Sequence, residues 1–405
     1  MIRSCRRWFV AGALGASMLS TGCAPEHPVA TNTAPPPPRP EKQVMRALPF
    51  PFDADTLAPA IAADSAGDVL VSWINRRART LNIARWRDGR WFQPRTIARG
   101  AITINKANAP SLLAGRDFVI AQWIEDNGKG KAVRISRSND GGVTWSDPVT
   151  PHADAESEYG FVSLAAEPDG TAGALWLDGR NLPGGREGAG DMQLRYAKID
   201  ANGKVGGDEL LDSRVCDCCQ TAIANTANGP IAIYRDRSSE EIRDIAIVRS
   251  TGDGWTKPKL LSHEGWRIPG CPVNGPRVEA SGLNVVTAWY AAANDQPQVH
   301  IAFSRDGGAS FEKAIRVDQG QAEGHVDVLL LADGSAVVSW IEGHTIVAKR
   351  VDRNGAAGKT VTVGETPSAS AAGFPRMTIS KDNVVVAWSS ETAGVRMALL
   401  HIPDL

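Results

Sequence analysis

Ser138-Asn139-Asp140-Gly141-Gly142-Val143-Thr144-Trp145 and Ser304-Arg305-Asp306-Gly307-Gly308-Ala309-Ser310-Phe311 share one pattern, Ser-x-Asp-Gly-Gly-x-Thr/Ser-Trp/Phe. These residue types prescribe a tight turn. The Asp140 and Asp306 carboxylates can accept hydrogen bonds from nearby backbone N–H groups and close an Asx-turn. Gly142 and Gly308 supply positive φ without a Cβ clash. Trp145 and Phe311 can pack beneath the hairpin and fix it to a sheet.

The turns sit inside a longer repeat. Short apolar runs end in an aromatic residue at Trp73, Trp123, Trp176, Tyr234, Trp289, Trp340 and Trp388, at intervals of 50, 53, 58, 55, 51 and 48 residues. A period near fifty indicates propeller blades or a comparable array. Each repeat carries a short first strand, often after Pro (Ala58–Ala62, Ala109–Leu112, Gly275–Val278, Phe374–Met377), and then the run that ends in the aromatic. A third strand and a Gly/Asp turn follow, and a fourth strand closes the unit. The turn in repeats two and five resembles the Asp-box, or BNR repeat, of the sialidase superfamily. Weaker forms stand at 87–91, 250–255 and 352–355.

The fold expected is therefore all-β, a propeller of seven four-stranded blades. Six blades is the alternative, since the sialidases that the boxes resemble have six. The seventh repeat reaches Leu405 after its third strand. An open sheet edge invites aggregation, so Gln43–Phe50 is expected to return as the missing outer strand.

The first 43 residues read differently. Arg3, Arg6 and Arg7 precede an apolar stretch, and Leu19-Ser20-Thr21-Gly22-Cys23 resembles a bacterial lipoprotein signal. Residues 1–22 are expected to be a signal peptide. Residues 23–43 would form a lipidated Cys23 and a Pro-rich tether, and 44–405 the propeller. Ala24 after the cysteine favours the outer membrane of a bacterial envelope. The chain has 44 Lys+Arg and 45 Asp+Glu, so no basic field recruits nucleic acid. A monomeric propeller is expected.

Four further cysteines carry the sharpest chemical signal. Cys216, Cys218 and Cys219 crowd into one loop, and Cys271 stands in the next equivalent loop. Both join an outer strand to the inner strand of the following blade, on the face where propellers usually bind ligands. An oxidising envelope favours disulfides, and four cysteines allow three full pairings. The competing readings are a thiolate site for Cu(I) or Zn(II) and a redox pair with a labile disulfide.

The same face gathers polar residues. His152, Glu158 and Tyr159 (with Asp154 and Glu156) precede repeat three. His263, Trp266 and Arg267 precede repeat five, and His325 precedes repeat six. Arg180, Asp236, Arg237 and His344 stand between second and third strands. The sialidase resemblance implies an arginine triad for a substrate carboxylate, a Tyr–Glu nucleophile pair and an acid/base Asp. Asp178, Tyr234 and Arg267 are the weak candidates for such roles. Arg267-Ile268-Pro269 matches the family's Arg-Ile-Pro in letters, but lies between the two boxes instead of before the first. No complete catalytic set can be assigned. The leading expectation is a non-catalytic protein that binds a metal, a glycan or an envelope protein on its cysteine-bearing face. The alternative is a glycoside hydrolase of the exo-sialidase type. A scaffold in an envelope assembly is a third reading.

Overall fold

The computed structural model describes residues 44–405 apart from 127, 129, 153–156 and 184–189. The expected signal, Cys23 and tether lie outside the described residues, as do Asp154 and Glu156. Within the described residues no helix is long and apolar enough to cross a membrane.

Seven antiparallel sheets follow one another along the chain. Their first strands are Thr56–Ala63, Ser111–Ala114, Tyr159–Ala166, Ala222–Thr226, Arg277–Ser281, Ala322–Leu330 and Arg376–Ser380. Each packs on the first strand of the next blade, and the seventh packs on the first, so the ring is closed. Their side chains line an axial channel of ≈ 380 Å³. The apolar core is divided into wedges between neighbouring blades, because each sheet buries both faces. That double burial explains why the second strands read as continuous apolar runs.

The aromatic at the end of every second strand is buried, from Trp73 through Trp388. Four of the indoles find a carboxylate acceptor. Trp123 Nε1 donates to Glu125 (3.0 Å) and Trp176 Nε1 to Asp178 (2.8 Å). Trp289 Nε1 donates to Glu264 (2.8 Å), and Trp340 Nε1 donates to Glu342. Truncating one such Trp to Ala would cost about 3–5 kcal/mol.

The seventh blade is closed as the sequence suggests. Met45–Leu48 pairs antiparallel with Gly394–His401, in the register Met45↔Leu400 to Leu48↔Met397. The second blade departs from the four-strand pattern. Three strands form its sheet, and its outer edge is met only at separate points: Val149 bridged both ways to Ile135, Ser157 bridged to Lys131, and the Ser146 N–H donating to Arg137 O. Pro148 and Pro151 flank Val149; lacking an N–H, neither can donate to a longer ladder.

Both Asp-boxes close as expected. Asp140 accepts from the Val143 and Thr144 N–H groups (3.0 and 2.9 Å) and from the Thr144 hydroxyl (2.6 Å). Asp306 holds Ser310 in the same way (2.9 and 2.6 Å). The Ser138 and Ser304 hydroxyls accept from the Gly142 and Gly308 N–H groups. The Trp145 indole staples its own turn, donating from Nε1 to Gly142 O at 3.2 Å, and both aromatics also reach the preceding blade. Trp145 joins Leu70 and Ile83 of the first blade, and Phe311 joins Ile231 and Ile247 of the fourth. Each box therefore bolts its blade to the preceding one. A further degenerate box escaped the sequence reading, where Asp200 accepts from the Asn202 and Lys204 N–H groups.

Candidate functional site

The loop after the outer strand Val205–Val215 enters the fourth blade through Cys216–Gln220. It is pinned to the end of that blade's second strand, where the Cys216 N–H donates to Arg235 O at 3.0 Å. The loop carrying Cys271 lies alongside, and a disulfide joins Cys218 to Cys271 across 53 residues of chain. Cys271 thus takes Cys218 as its partner, and none of the three full pairings is formed. A vicinal Cys218–Cys219 bridge is excluded, because Cys218 is already bonded.

Cys216 and Cys219 keep their thiols and are buried, with Sγ atoms 2.9 Å apart. Cys218 Sγ lies 3.9 Å from Cys216 Sγ. Arg243 Nη1 donates to Cys216 Sγ at 3.2 Å and to Asp217 at 3.2 Å. Burial opposes ionisation of Cys216. The Cys219 thiol, the Cys218 N–H and the charges of Arg235 and Arg243 outweigh it and bring Cys216 down to about 7. Burial, with the neighbouring Cys216, drives Cys219 well above the usual thiol range. The pair thus holds one proton more readily than two, as in an activated dithiol.

Arg235 and Arg243, both buried, were not singled out by sequence reasoning, which saw only loop charges. Arg235 donates to Asn274 O (2.9 and 2.7 Å), Arg243 O (2.6 Å) and Tyr290 O (2.6 Å), and lies over the Trp266 ring at 4.8 Å. Asn274 and Gln220 were missed as well. Asn274 Oδ1 accepts from the His325 N–H, and Gln220 joins Ala107 O to the Gly275 N–H. Asn274 thus ties the entries of blades five and six, and Gln220 ties the entry of blade four to those of blades five and two. A signal for Asn274 was present: Asn-x-Pro stands before an inner strand at 108–110 and again at 274–276, and Asn108 Oδ1 likewise accepts from the Phe161 N–H at 2.7 Å.

The remaining candidates separate into structural and accessible groups. His152 stacks on Tyr159 at 3.7 Å and accepts from the Val133 N–H, so both are buried packing residues and not displayed ligands. His325 stacks on Phe374 at 4.0 Å, and burial lowers it to about 4, leaving a neutral imidazole. Trp266 is buried beneath Arg235 and Tyr290. Glu158 pairs with Lys131, and Arg237 with Glu241. His263, Arg267 and His344 are exposed. Asp236 is partly buried, and desolvation raises it to about 6.

The three weak catalytic candidates are not assembled into a site. Asp178 is fully buried, with both oxygens engaged by Trp176 and Arg180. Tyr234 is buried and donates to Asp212 at 2.7 Å; burial and that carboxylate push its phenol far above the usual range, the reverse of an activated nucleophile. Arg267 sits on the rim, its backbone bridged to Ile242.

The channel itself is divided. Its wall from blades one to four is mostly Ala, Ile, Leu and Ser, while blades five to seven contribute Arg277, Glu279, Asp327 and Arg376. Arg277 pairs with Asp327 at 3.0 Å, and Asp327 also accepts from the Met377 N–H at 2.7 Å. Desolvation, chiefly, raises Glu279 to about 7 and lowers Arg376 to about 9. Glu279 projects into the lumen and is reached by solvent there, but protein surrounds it on every side.

No protein-family model and no curated protein matches the chain. Solved structures do resemble it. A PL25 ulvan lyase bound to a GlcA(1-4)Rha3S ligand superposes with a TM-score of 0.57 at 13% identity, covering 88% of this chain and 96% of that one. The GH93 α-L-arabinofuranosidase of Fusarium graminearum, in complex with arabinobiose, gives 0.51 at 12% identity, over 89% and 98%. The NanB sialidase of Streptococcus pneumoniae gives 0.47 at 12% identity, over 84% of each chain. At such identities the likeness is one of fold.

Proposed function

We propose that this is a lipid-anchored propeller of a bacterial envelope that receives a ligand on its cysteine-bearing face without turning it over. The observation that carries the reading is the buried Cys216–Cys219 thiol pair beside Arg243 at the mouth between the fourth and fifth blades. Thiolates are soft donors, so the ligand class that suits them is a d10 ion, Cu(I) ahead of Zn(II). The three sulfurs of Cys216, Cys218 and Cys219 lie within 4.8 Å of one another. With Cys218 in a disulfide the donor set is two thiols, which suits a two-coordinate ion better than tetrahedral zinc.

The test is native mass spectrometry of residues 44–405 folded in a bacterial periplasm, loaded with Cu(I) or Zn(II), with and without reductant. One bound ion is expected, lost in Cys216→Ser and Cys219→Ser. A metal-free mass under loading in both redox conditions would overturn the metal reading. The anchor is tested separately: Cys23→Ser should release the protein from membranes and abolish fatty-acid labelling.

A second reading, a glycan-active enzyme, is supported by the charged half of the channel, where Arg277, Arg376 and Glu279 converge. Its fold neighbours include a lyase and a hydrolase of glycans. An arginine pair suits a sugar carboxylate, and a carboxyl raised to about 7 suits proton transfer near neutrality. Turnover of a uronate polysaccharide, sialoside or arabinofuranoside, lost in Glu279→Gln with the fold intact, would favour it. No turnover across those three substrates would leave binding as the better account.

A further inference from the structure

We infer that the four cysteines form a two-electron relay, in which the buried Cys216/Cys219 dithiol exchanges through Cys218 with the surface sulfur of Cys271. The inference rests on the cysteine cluster already described, but not on a bound metal.

Position and exposure make the case. Cys216 and Cys219 are 1% and 2% exposed, so an outside disulfide cannot reach them directly. Cys271 is exposed and bonded to Cys218. Cys216 touches both of its prospective partners, Cys219 at 2.9 Å and Cys218 at 3.9 Å. Arg243, held by Asp217 and Glu241, donates to the Cys216 sulfur at 3.2 Å. A purely structural bridge would need neither two neighbouring thiols nor a buried guanidinium against one of them.

The chemistry balances in four exchanges. Cys216 thiolate attacks Cys218 Sγ; the Cys216–Cys218 bond forms, the Cys218–Cys271 bond breaks, and Cys271 leaves as a thiolate at the surface. Cys219, giving up its proton, attacks Cys216 Sγ, forming Cys216–Cys219 and freeing the Cys218 thiolate. Cys271 then attacks the disulfide of an external partner, a protein or small-molecule disulfide, and expels one partner thiolate. Cys218 attacks Cys271 Sγ, restoring the original bridge and releasing the second partner thiolate. Two electrons and two protons pass from Cys216/Cys219 to the partner. A partner dithiol drives the same path in reverse.

The test is timed alkylation with iodoacetamide followed by peptide mapping, on residues 44–405 without metal. Internal exchange exposes Cys271, so wild-type protein should become alkylated there. Cys216→Ser, which keeps the Cys218–Cys271 bridge and therefore the folded loop, should label Cys271 at least tenfold more slowly. On separate, unalkylated wild-type protein, oxidised glutathione should be reduced to two equivalents of glutathione per molecule and leave a Cys216–Cys219 bridge. Protein isolated with both bridges is given one equivalent of dithiothreitol, and the thiols should appear at Cys216 and Cys219. An unlabelled Cys271 in wild-type protein, or equal labelling in Cys216→Ser, overturns the relay. Metal binding without exchange sinks the relay alone, and exchange without metal sinks the metal reading alone.

Discussion

Gly275 shows how closely single residues fix the mouth. A Cβ built on it would stand 2.0 Å from the Gln220 carbonyl oxygen, backbone against backbone. Gly275→Ala should therefore cost about 1–3 kcal/mol or more and push the two cysteine loops apart. Urea denaturation would show it; an unchanged midpoint would mean that the approach is not needed. Asp236 gives a pH prediction. Desolvation raises it from its ordinary 3.8 to about 6, with Asp212 and Asp244 adding to the effect against the Arg237 N–H. A raised acid folds best protonated, so its ionisation costs stability as pH climbs from about 4 to above about 6. Asp236→Asn should match wild type near pH 4 and exceed it by about 1–3 kcal/mol at pH 8. Equal pH profiles of melting temperature for the two proteins would refute this. The same scale explains the misread residues. His152 and His325 look like displayed loop histidines, and nothing in their neighbours announces that Tyr159 and Phe374 stack on them.

At the scale of elements, the sequence was legible wherever a local rule sufficed. The box residues specify their own turn, and the aromatic ends mark second strands because burial on both faces demands an apolar run closed by a large side chain. Pairing among the cysteines was not legible, since it depends on which loops the ring places side by side. Nor was the short fourth strand of blade two, decided by two prolines. The boxes carry a prediction of their own. Hydrogen bonds hold Asp140 down at about 2, and at Asp306 desolvation is outweighed by the bonds from Ser310 and Ser304, which bring it to about 2 as well. A depressed acid contributes stability that is present above its ordinary 3.8 and is lost as pH falls through about 2. Asp306→Ala should cost about 1–2 kcal/mol near neutrality, through the freed Ser310 turn and the loosened Phe311 bolt onto blade four. Asp253, exposed in a degenerate turn, should tolerate the same change within about 0.5 kcal/mol. Thermal melts of the two variants side by side distinguish a working box from its relic.

For the whole molecule the decisive contact is the one that closes the ring. Met45–Leu48 covers the edge of Gly394–His401, and Leu48 shares a core with Met397 and Leu399. The chain then crosses directly to blade one. Trp91 Nε1 donates to Pro49 O at 2.9 Å, and Phe50 and Phe52 pack edge-on or stacked against Trp73 and Trp91. Seven residues thus satisfy the last open edge and join the last wedge of core. Without them the third strand of blade seven would present unpaired N–H and C=O groups beside apolar side chains, a template for another chain. Residues 44–405 should be monomeric on size exclusion with a cooperative melt, whereas residues 51–405 should aggregate or melt far lower. Because Met45–Leu48 runs antiparallel to Gly394–His401, the strand need not come first in the chain. Moving residues 44–50 to follow Leu405 through a short Gly/Ser linker lets them return as a hairpin on the same edge. That permuted chain should recover the monomer and most of the melting temperature. If it stays aggregated while its strand is present, closure depends on the covalent link from Phe50 into blade one, and pairing of the edge is the lesser part.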